Sequence, residues 1–177
     1  MHLFLPDMYQ KNVHKIPYSS LKKQGIKCLV FDLDNTLGLI SDTKVPSDTK
    51  KLIQSLKKDF MVFISTNNGK NRIKHYLDEL EIEGTFYSLK PSRRGLRSIS
   101  KKYHFQNSEI AMIGDQIITD VLSGNRFGCC TILVEPLGKK DLKITALNRF
   151  LEKIILNHYQ KKGFFERGKY YESRKIL

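Results

Sequence analysis

The chain has 177 residues, 40% of them hydrophobic, and its 31 basic side chains outnumber 18 acidic ones for a formal charge of +13. That length allows one globular domain with a real core, and the balance excludes a fibrous or wholly disordered chain. No apolar run approaches the roughly 18 residues that a spanning helix needs, and the start, Met1-His2-Leu3-Phe4-Leu5-Pro6-Asp7, lacks the basic and long apolar stretches of a secretory signal. Three cysteines, Cys28, Cys129 and Cys130, make an odd set in apolar strand-like runs. They read as reduced, buried thiols of a cytosolic protein rather than a disulfide framework.

The first predicted strand, near 28–32, runs Cys28-Leu29-Val30-Phe31 into Asp32-Leu33-Asp34-Asn35-Thr36-Leu37. Acids are poor strand formers, and an unpaired buried carboxylate is costly. Residues two apart lean to one side of a strand, so Asp32 and Asp34 would repel unless a cation sat between them. Hard divalent ions take such oxygen ligands. A helix near 47–58 opens at Pro46-Ser47, and a second strand near 60–65 closes in Ser65-Thr66-Asn67-Asn68-Gly69. Hydroxyl, amide and turn N–H groups there suit phosphate oxygens, although Asn-Asn-Gly is also an ordinary turn.

A helix near 70–80 carries Lys70, Arg72 and Lys74 around Ile73 and Leu77. The next strand is expected over 85–88, in the run Phe86-Tyr87-Ser88-Leu89, with Lys90-Pro91 at its end. After a helix near 92–103, a strand near 109–114 ends in Gly114-Asp115, and Asp120 follows near the start of a helix over 119–127. The helix dipole alone would favour an acid at Asp120; it explains Asp115 less well. A strand near 129–134 and a helix near 144–161 complete the order. Strand and helix alternate with short connections, which predicts an α/β fold with a mainly parallel sheet covered on both faces. In such sheets ligands bind at the carboxyl ends of strands, where each of these motifs falls.

Taken in order, DLDNTL from Asp32 to Leu37, Ser65-Thr66-Asn67, Lys90-Pro91 and GDQIITD from Gly114 to Asp120 resemble the four motifs of the haloacid dehalogenase (HAD) superfamily, subfamily IIIA. Leu5-Pro6-Asp7, Gly25-Ile26-Lys27, the stretch Asp120 to Arg126 and the late Leu147-Asn148-Arg149-Phe150-Leu151-Glu152 resemble the YqeG-type phosphatases, a branch related to phosphatidylglycerophosphate phosphatases. The resemblance implies a three-layer α/β/α Rossmann-like fold. It implies Asp32 as nucleophile and Mg2+ ligand, and Asp34 as general acid and base that lends its backbone carbonyl to the metal. Thr66 would bind the phosphoryl group beside Asn67, and Lys90 would neutralise charge. Asp115 would be a third metal ligand, with Asp120 and Thr36 in support.

A carboxylate nucleophile gives an aspartyl-phosphate and divides one difficult displacement into two. The stretches between Asp34 and Thr66, and between Asn67 and Lys90, are each filled by the predicted helix and strand, so neither has room for a cap domain. An uncapped site suits a large substrate or a phosphate presented at a surface. The expected organisation is one domain over 1–177, with a core near 26–136, a basic segment 1–25 and a basic helix and tail 138–177.

The charge is uneven. Residues 1–27 hold five basic and one acidic residue and residues 138–177 eleven and four, so the ends carry +11 of the +13. Basic ends interleaved with Leu3, Phe4, Leu5, Met8, Tyr9, Val13 and Ile16, and with Ile144, Leu147, Phe150, Leu151, Ile154 and Ile155, suit an anionic membrane surface. A final helix docked on the sheet with its lysines in water is the competing expectation. The tail aromatics suit bases, a membrane interface or a frayed end. The expected activity is Mg2+-dependent hydrolysis of a phosphomonoester, phosphatidylglycerophosphate to phosphatidylglycerol, by a cytoplasmic protein held peripherally on the inner membrane face. A phosphatase of nucleotides, sugar phosphates, phosphoproteins or nucleic-acid ends is the enzymatic alternative. An RNA- or ribosome-associated basic module is the non-enzymatic one, and nucleic acid is not the favoured partner.

Overall fold

The structure, a computed structural model, describes residues 3–138 and 143–173, with no side chains described over 143–147. Six strands form one sheet: β1 Met8–Gln10, β2 Cys28–Phe31, β3 Met61–Ser65, β4 Glu83–Thr85, β5 Ile110–Gly114 and β6 Cys130–Val134. Their spatial order is β1-β6-β5-β2-β3-β4, and every pair is parallel. The helices are α1 Tyr18–Lys23, α2 Ser47–Leu56, α3 Lys70–Leu80, α4 Arg94–Tyr103, α5 Leu122–Phe127 and α6 Lys143–Lys161.

Strand alternation divides the core into layers. Leu29, Phe31, Val62, Ile64, Ala111 and Ile113 pack with Leu21, Ile53, Leu56, Ile73, Tyr76 and Leu80 from α1, α2 and α3. Cys28, Val30, Phe63, Ile110 and Met112 pack with Leu96, Ile99 and Phe127 from α4 and α5. A sheet buried on both faces needs near-continuous apolar strands, and β2 and β5 provide them. The chain runs outward from β2 through β3 to β4, then returns to β5 on the other side of β2. The reversal opens a crevice at the tips of β2 and β5, whose register pairs Phe31 with Ile113.

Three expectations change. The N-terminal segment is not a free basic arm: β1 pairs with β6, and Leu5, Met8, Tyr9, Val13 and Ile16 are buried, so they offer nothing to a membrane. A three-residue edge strand has too short a pattern to announce itself, and its pairing is non-local. The strand expected over 85–88 lies at Glu83–Thr85 instead. Tyr87 and Leu89 have φ of 48° and 52°, a left-handed backbone that cannot continue a strand. The tail is packed rather than frayed over its described part: Phe165 is buried against Tyr9, and Tyr171 bridges Tyr9 antiparallel.

Helix α6 meets the rest of the protein through Arg149, Glu152, Leu156 and Tyr159. Phe150, Leu151 and Ile154 are exposed; Ile144 and Leu147 lie outside the described side chains. The three thiols are free, and burial pushes Cys28 and Cys130 up to about 12. No helix among the described residues is long and apolar enough to cross a membrane.

Candidate active site

The loop after β2 is pinned from below. Leu33 and Leu37 are fully buried, and the Leu37 N–H donates to the Leu33 carbonyl at 2.9 Å. Asn35 takes a left-handed φ of 60°, and its N–H donates to the Gly38 carbonyl at 2.7 Å. This clasp fixes Asp32 at the strand tip, where its backbone N–H still bonds Ile113 of the neighbouring β5 at 2.8 Å.

Lys90 joins the strand tips. Its ammonium, almost completely buried, donates to Asp32 Oδ1 at 2.5 Å, Asp120 Oδ1 at 2.6 Å and the Ser65 carbonyl at 2.9 Å. Asn67 holds the Lys90 backbone at both ends: its Oδ1 accepts from the Lys90 N–H at 2.7 Å and its Nδ2 donates to the Lys90 carbonyl at 3.0 Å. Lys90 therefore does not extend from a strand end; the bent loop after β4 carries it in. Thr66 is buried and lines the cavity, while the Ser65 hydroxyl turns away to Ser88 at 3.0 Å.

The second acidic cluster depends on a glycine. A Cβ on Gly114 would lie 2.2 Å from the Asp120 carboxyl carbon, so only glycine lets that carboxylate fold back over the tip of β5. Asp120 sits in a π-helical turn, Ile117–Val121, that leads into α5. Such turns re-aim side chains inside a helix. Asp115 accepts from Thr36 Oγ1 at 3.3 Å. Asp32, Asp115 and Asp120 are all buried, and each offers a carboxylate oxygen within 4.8 Å of the others.

Asp34 belongs to a different partnership. Its carboxylate accepts from Arg72 Nε at 3.1 Å, from Arg72 Nη2 at 2.8 Å and from Asn68. It lines the same cavity as Asp32 but is not one of the three mutually close acids. Alternation along the strand stops at Asp32, and the turn redirects Asp34 toward the start of α3. Two further cations were not singled out from sequence. Arg72 was visible only as one of several basic residues on a helix. Arg149 donates to the Asp115 carbonyl at 2.9 Å, to its carboxylate, and to Glu152 at 3.1 Å. Its sole signal was its place in the late Leu147–Glu152 stretch.

Electrostatics follow from crowding. Burial raises the Asp32 carboxyl to about 7; Lys90 opposes the rise, while Asp120 and Asp34 add to it. Burial likewise holds Asp115 well above the carboxylate range, against Arg149 and with help from Asp32 and Asp120. Lys90 is itself raised: burial works against its charge, and the two carboxylates outweigh burial. Three close buried carboxyl groups, with the ionised forms of Asp32 and Asp115 disfavoured, match the donor set a hard divalent cation seeks. The residues therefore fit such an ion. Ile40, Leu89, Pro91 and Ile118 share with the polar Asn35, Asn67, Asn68, Gln116, Thr119 and Asn148 the lining of a cavity of about 490 Å³ around Asp32, Asp34, Thr66 and Lys90.

Fold and site together define a hydrolase of the HAD type. Among solved structures, cobalt-bound deoxy-D-mannose-octulosonate 8-phosphate phosphatase from Haemophilus influenzae superposes with a TM-score of 0.53 at 17% identity, covering 82% of this chain and 95% of that one. A predicted HAD-like hydrolase from Porphyromonas gingivalis gives a TM-score of 0.53 at 13% identity, covering 72% and 98%. These likenesses concern the fold. The family described as mitochondrial PGP phosphatase matches residues 1–138, and the chain belongs to that family of phosphatases. It is 34% identical over 167 residues to "Probable phosphatase YqeG" of Bacillus subtilis (strain 168), covering 92% of this chain and 95% of that one. It is 28% identical over 170 residues to phosphatidylglycerophosphate phosphatase 1, chloroplastic/mitochondrial, of Arabidopsis thaliana, covering 90% of this chain and 49% of that longer one.

Proposed function

We propose that the chain, working as one unit over residues 1–177, hydrolyses a lipid phosphomonoester, phosphatidylglycerophosphate, through an aspartyl-phosphate on Asp32. The observation that carries this reading is Lys90 lying between two carboxylates at the tips of parallel strands, beside a third within 4.8 Å. Asp32, Asp115 and Asp120 would hold Mg2+, with the Asp34 carbonyl as the resemblance implies. When bound, the ion would offset phosphate charge and polarise a phosphoryl oxygen.

The chain's own groups supply the rest. Lys90 holds Asp32 in one orientation and stabilises charge that builds on the phosphoryl oxygens, the main demand in phosphoryl transfer. Thr66, with Asn67 beside it, receives those oxygens. Asp34 gives a proton to the departing glycerol oxygen and then takes one from the attacking water. Arg72 and Asn68 aim its carboxylate into the cavity wall. Thr36 orients Asp115. The apolar walls made by Ile40, Leu89, Pro91 and Ile118 suit a substrate with a hydrocarbon body. We place the protein in the cytoplasm, at the inner face of the membrane.

A substrate panel tests the reading, run with Mg2+ and with chelator. It comprises short-chain phosphatidylglycerophosphate in detergent, nucleotides, sugar phosphates and an aryl phosphate. The lipid should have the highest kcat/KM, and chelator should abolish turnover. Equal rates across the panel would remove the lipid assignment. No turnover at all, with salt-sensitive RNA binding, would remove the enzyme.

A further inference from the structure

The rim of the cavity is inside out. In the loop after β4, Ser88 is 3% exposed and bonded to Ser65 and Thr85, while Phe86, Tyr87 and Leu89 are 43%, 64% and 55% exposed. Leu89 lines the cavity mouth, and Tyr87 lies against Gly69 in a groove that shares Ile40 and Asn68 with it. The other side of the mouth repeats the inversion. Asn148 of α6 lines the cavity, and Leu151 follows one turn later on the same side. Leu151 and Ile154 are exposed, and the charged Glu152 between them is buried.

Apolar side chains normally turn inward when polar neighbours can face water. Two elements far apart in sequence, reversed around one opening, mark a surface that is covered in use. Lys70 flanks the groove, and Arg93 and Arg94 follow the cavity residue Pro91. All three are exposed, and none makes an ion pair among the described residues.

We infer that this face, the 86–89 loop and the outer side of α6 around the cavity mouth, docks on an anionic lipid bilayer. The inference deepens the lipid-phosphate reading and rests on it. Side chains of this kind enter the headgroup region, and cations beside them meet anionic lipid. A phosphate on a membrane lipid then reaches Asp32 without leaving its leaflet.

The chain has no tryptophan, so a single introduced one reports on its own surroundings. Phe86→Trp places it on the rim; Met61→Trp places it at the opposite end of β3, where Met61 is 43% exposed. With vesicles of phosphatidylcholine and phosphatidylglycerol, emission from Phe86→Trp should shift to the blue and be quenched by brominated lipid, while Met61→Trp stays unchanged. Lys70→Ser with Arg94→Ser should weaken vesicle binding about 25-fold, at about fivefold per charge. No shift at Phe86→Trp, or an equal shift at Met61→Trp, overturns the docking face. So does rim emission that is already blue without vesicles and depends on protein concentration, which assigns the face to a second copy. Displacement from vesicles by RNA assigns it to nucleic acid. The spectral readout needs no turnover. Docking that survives a failed substrate panel leaves only the substrate wrong, and lipid turnover without docking leaves only this inference wrong.

Discussion

The acid centre at the tips of β2 and β5 and the loop that follows β4 lie at the same end of the sheet, and they break the ordinary rule of burial in opposite directions. At the acid centre charge goes in: Asp32, Asp115, Asp120 and Lys90 are all under a tenth exposed. In the loop, apolar groups go out. Each inversion sacrifices some stability, and the two sit beside one opening. The opposite end of the sheet shows no comparable cluster of buried charge among the described residues. Single exposed apolar residues such as Met61 occur elsewhere, but a buried charge cluster beside a run of exposed apolar groups is found at this opening, where chemistry and contact are expected.

The contrast can be attacked from its strongest side first. Asp32→Asn should lower kcat by about a thousandfold or more while the circular dichroism spectrum stays native. Retained turnover would remove Asp32 as the nucleophile. Next, Lys90→Ala strands two buried carboxylates and should cost about 3–5 kcal/mol in urea unfolding measured with chelator. A loss below about 1 kcal/mol would mean that water already reaches the centre.

Arg149→Ala should weaken Mg2+ binding about tenfold by calorimetry, because Asp115 keeps Thr36 but loses its charged partner, with partial recovery in Arg149→Lys. Unchanged affinity would make Arg149 a fastening for α6 alone. The pH dependence tests the same centre without substitution. The Asp32 carboxyl rises from 3.8 when unfolded to about 7 when folded. The folded state then binds the proton more tightly, so this contribution is complete below about pH 4 and is lost as pH rises through 7. With chelator, melting temperature should fall between pH 5 and 8 relative to an Asp32→Asn control, and Mg2+ should restore it at the upper end. A rise with pH would contradict the assignment. The smallest effect belongs to the rim. Tyr87→Asn keeps a residue tolerant of left-handed backbone and should change unfolding free energy by less than about 0.5 kcal/mol. A larger loss would show that the tyrosine packs more than it presents.

The same contrast explains what could be read from sequence. Asp32 and Asp115 were legible because each acid interrupts a run that otherwise demands burial, and the parallel order of those runs brings the tips together. Lys90 was legible only as part of that series. Its route to the site was not, because Phe86-Tyr87-Ser88-Leu89 is apolar enough to pass for a strand, and hydropathy carries no sign for φ. Asp34 followed strand alternation in expectation and turn geometry in fact. Arg72 and Arg149 reach the acids from helices whose packing no local pattern encodes. The short β1 escaped for a related reason, since its stability comes from Ile132, Leu133 and Val134, over a hundred residues away.

The bridge between Tyr9 and Tyr171 has its own consequence. Each backbone N–H donates to the other's carbonyl at 2.9 Å, on the flank of β1 that would otherwise stand open. An open flank recruits strands from other molecules. The tail strap therefore covers that flank at Tyr9. A protease cut near Gly163 should leave the acid centre in place and uncover a strand edge that another chain can pair with.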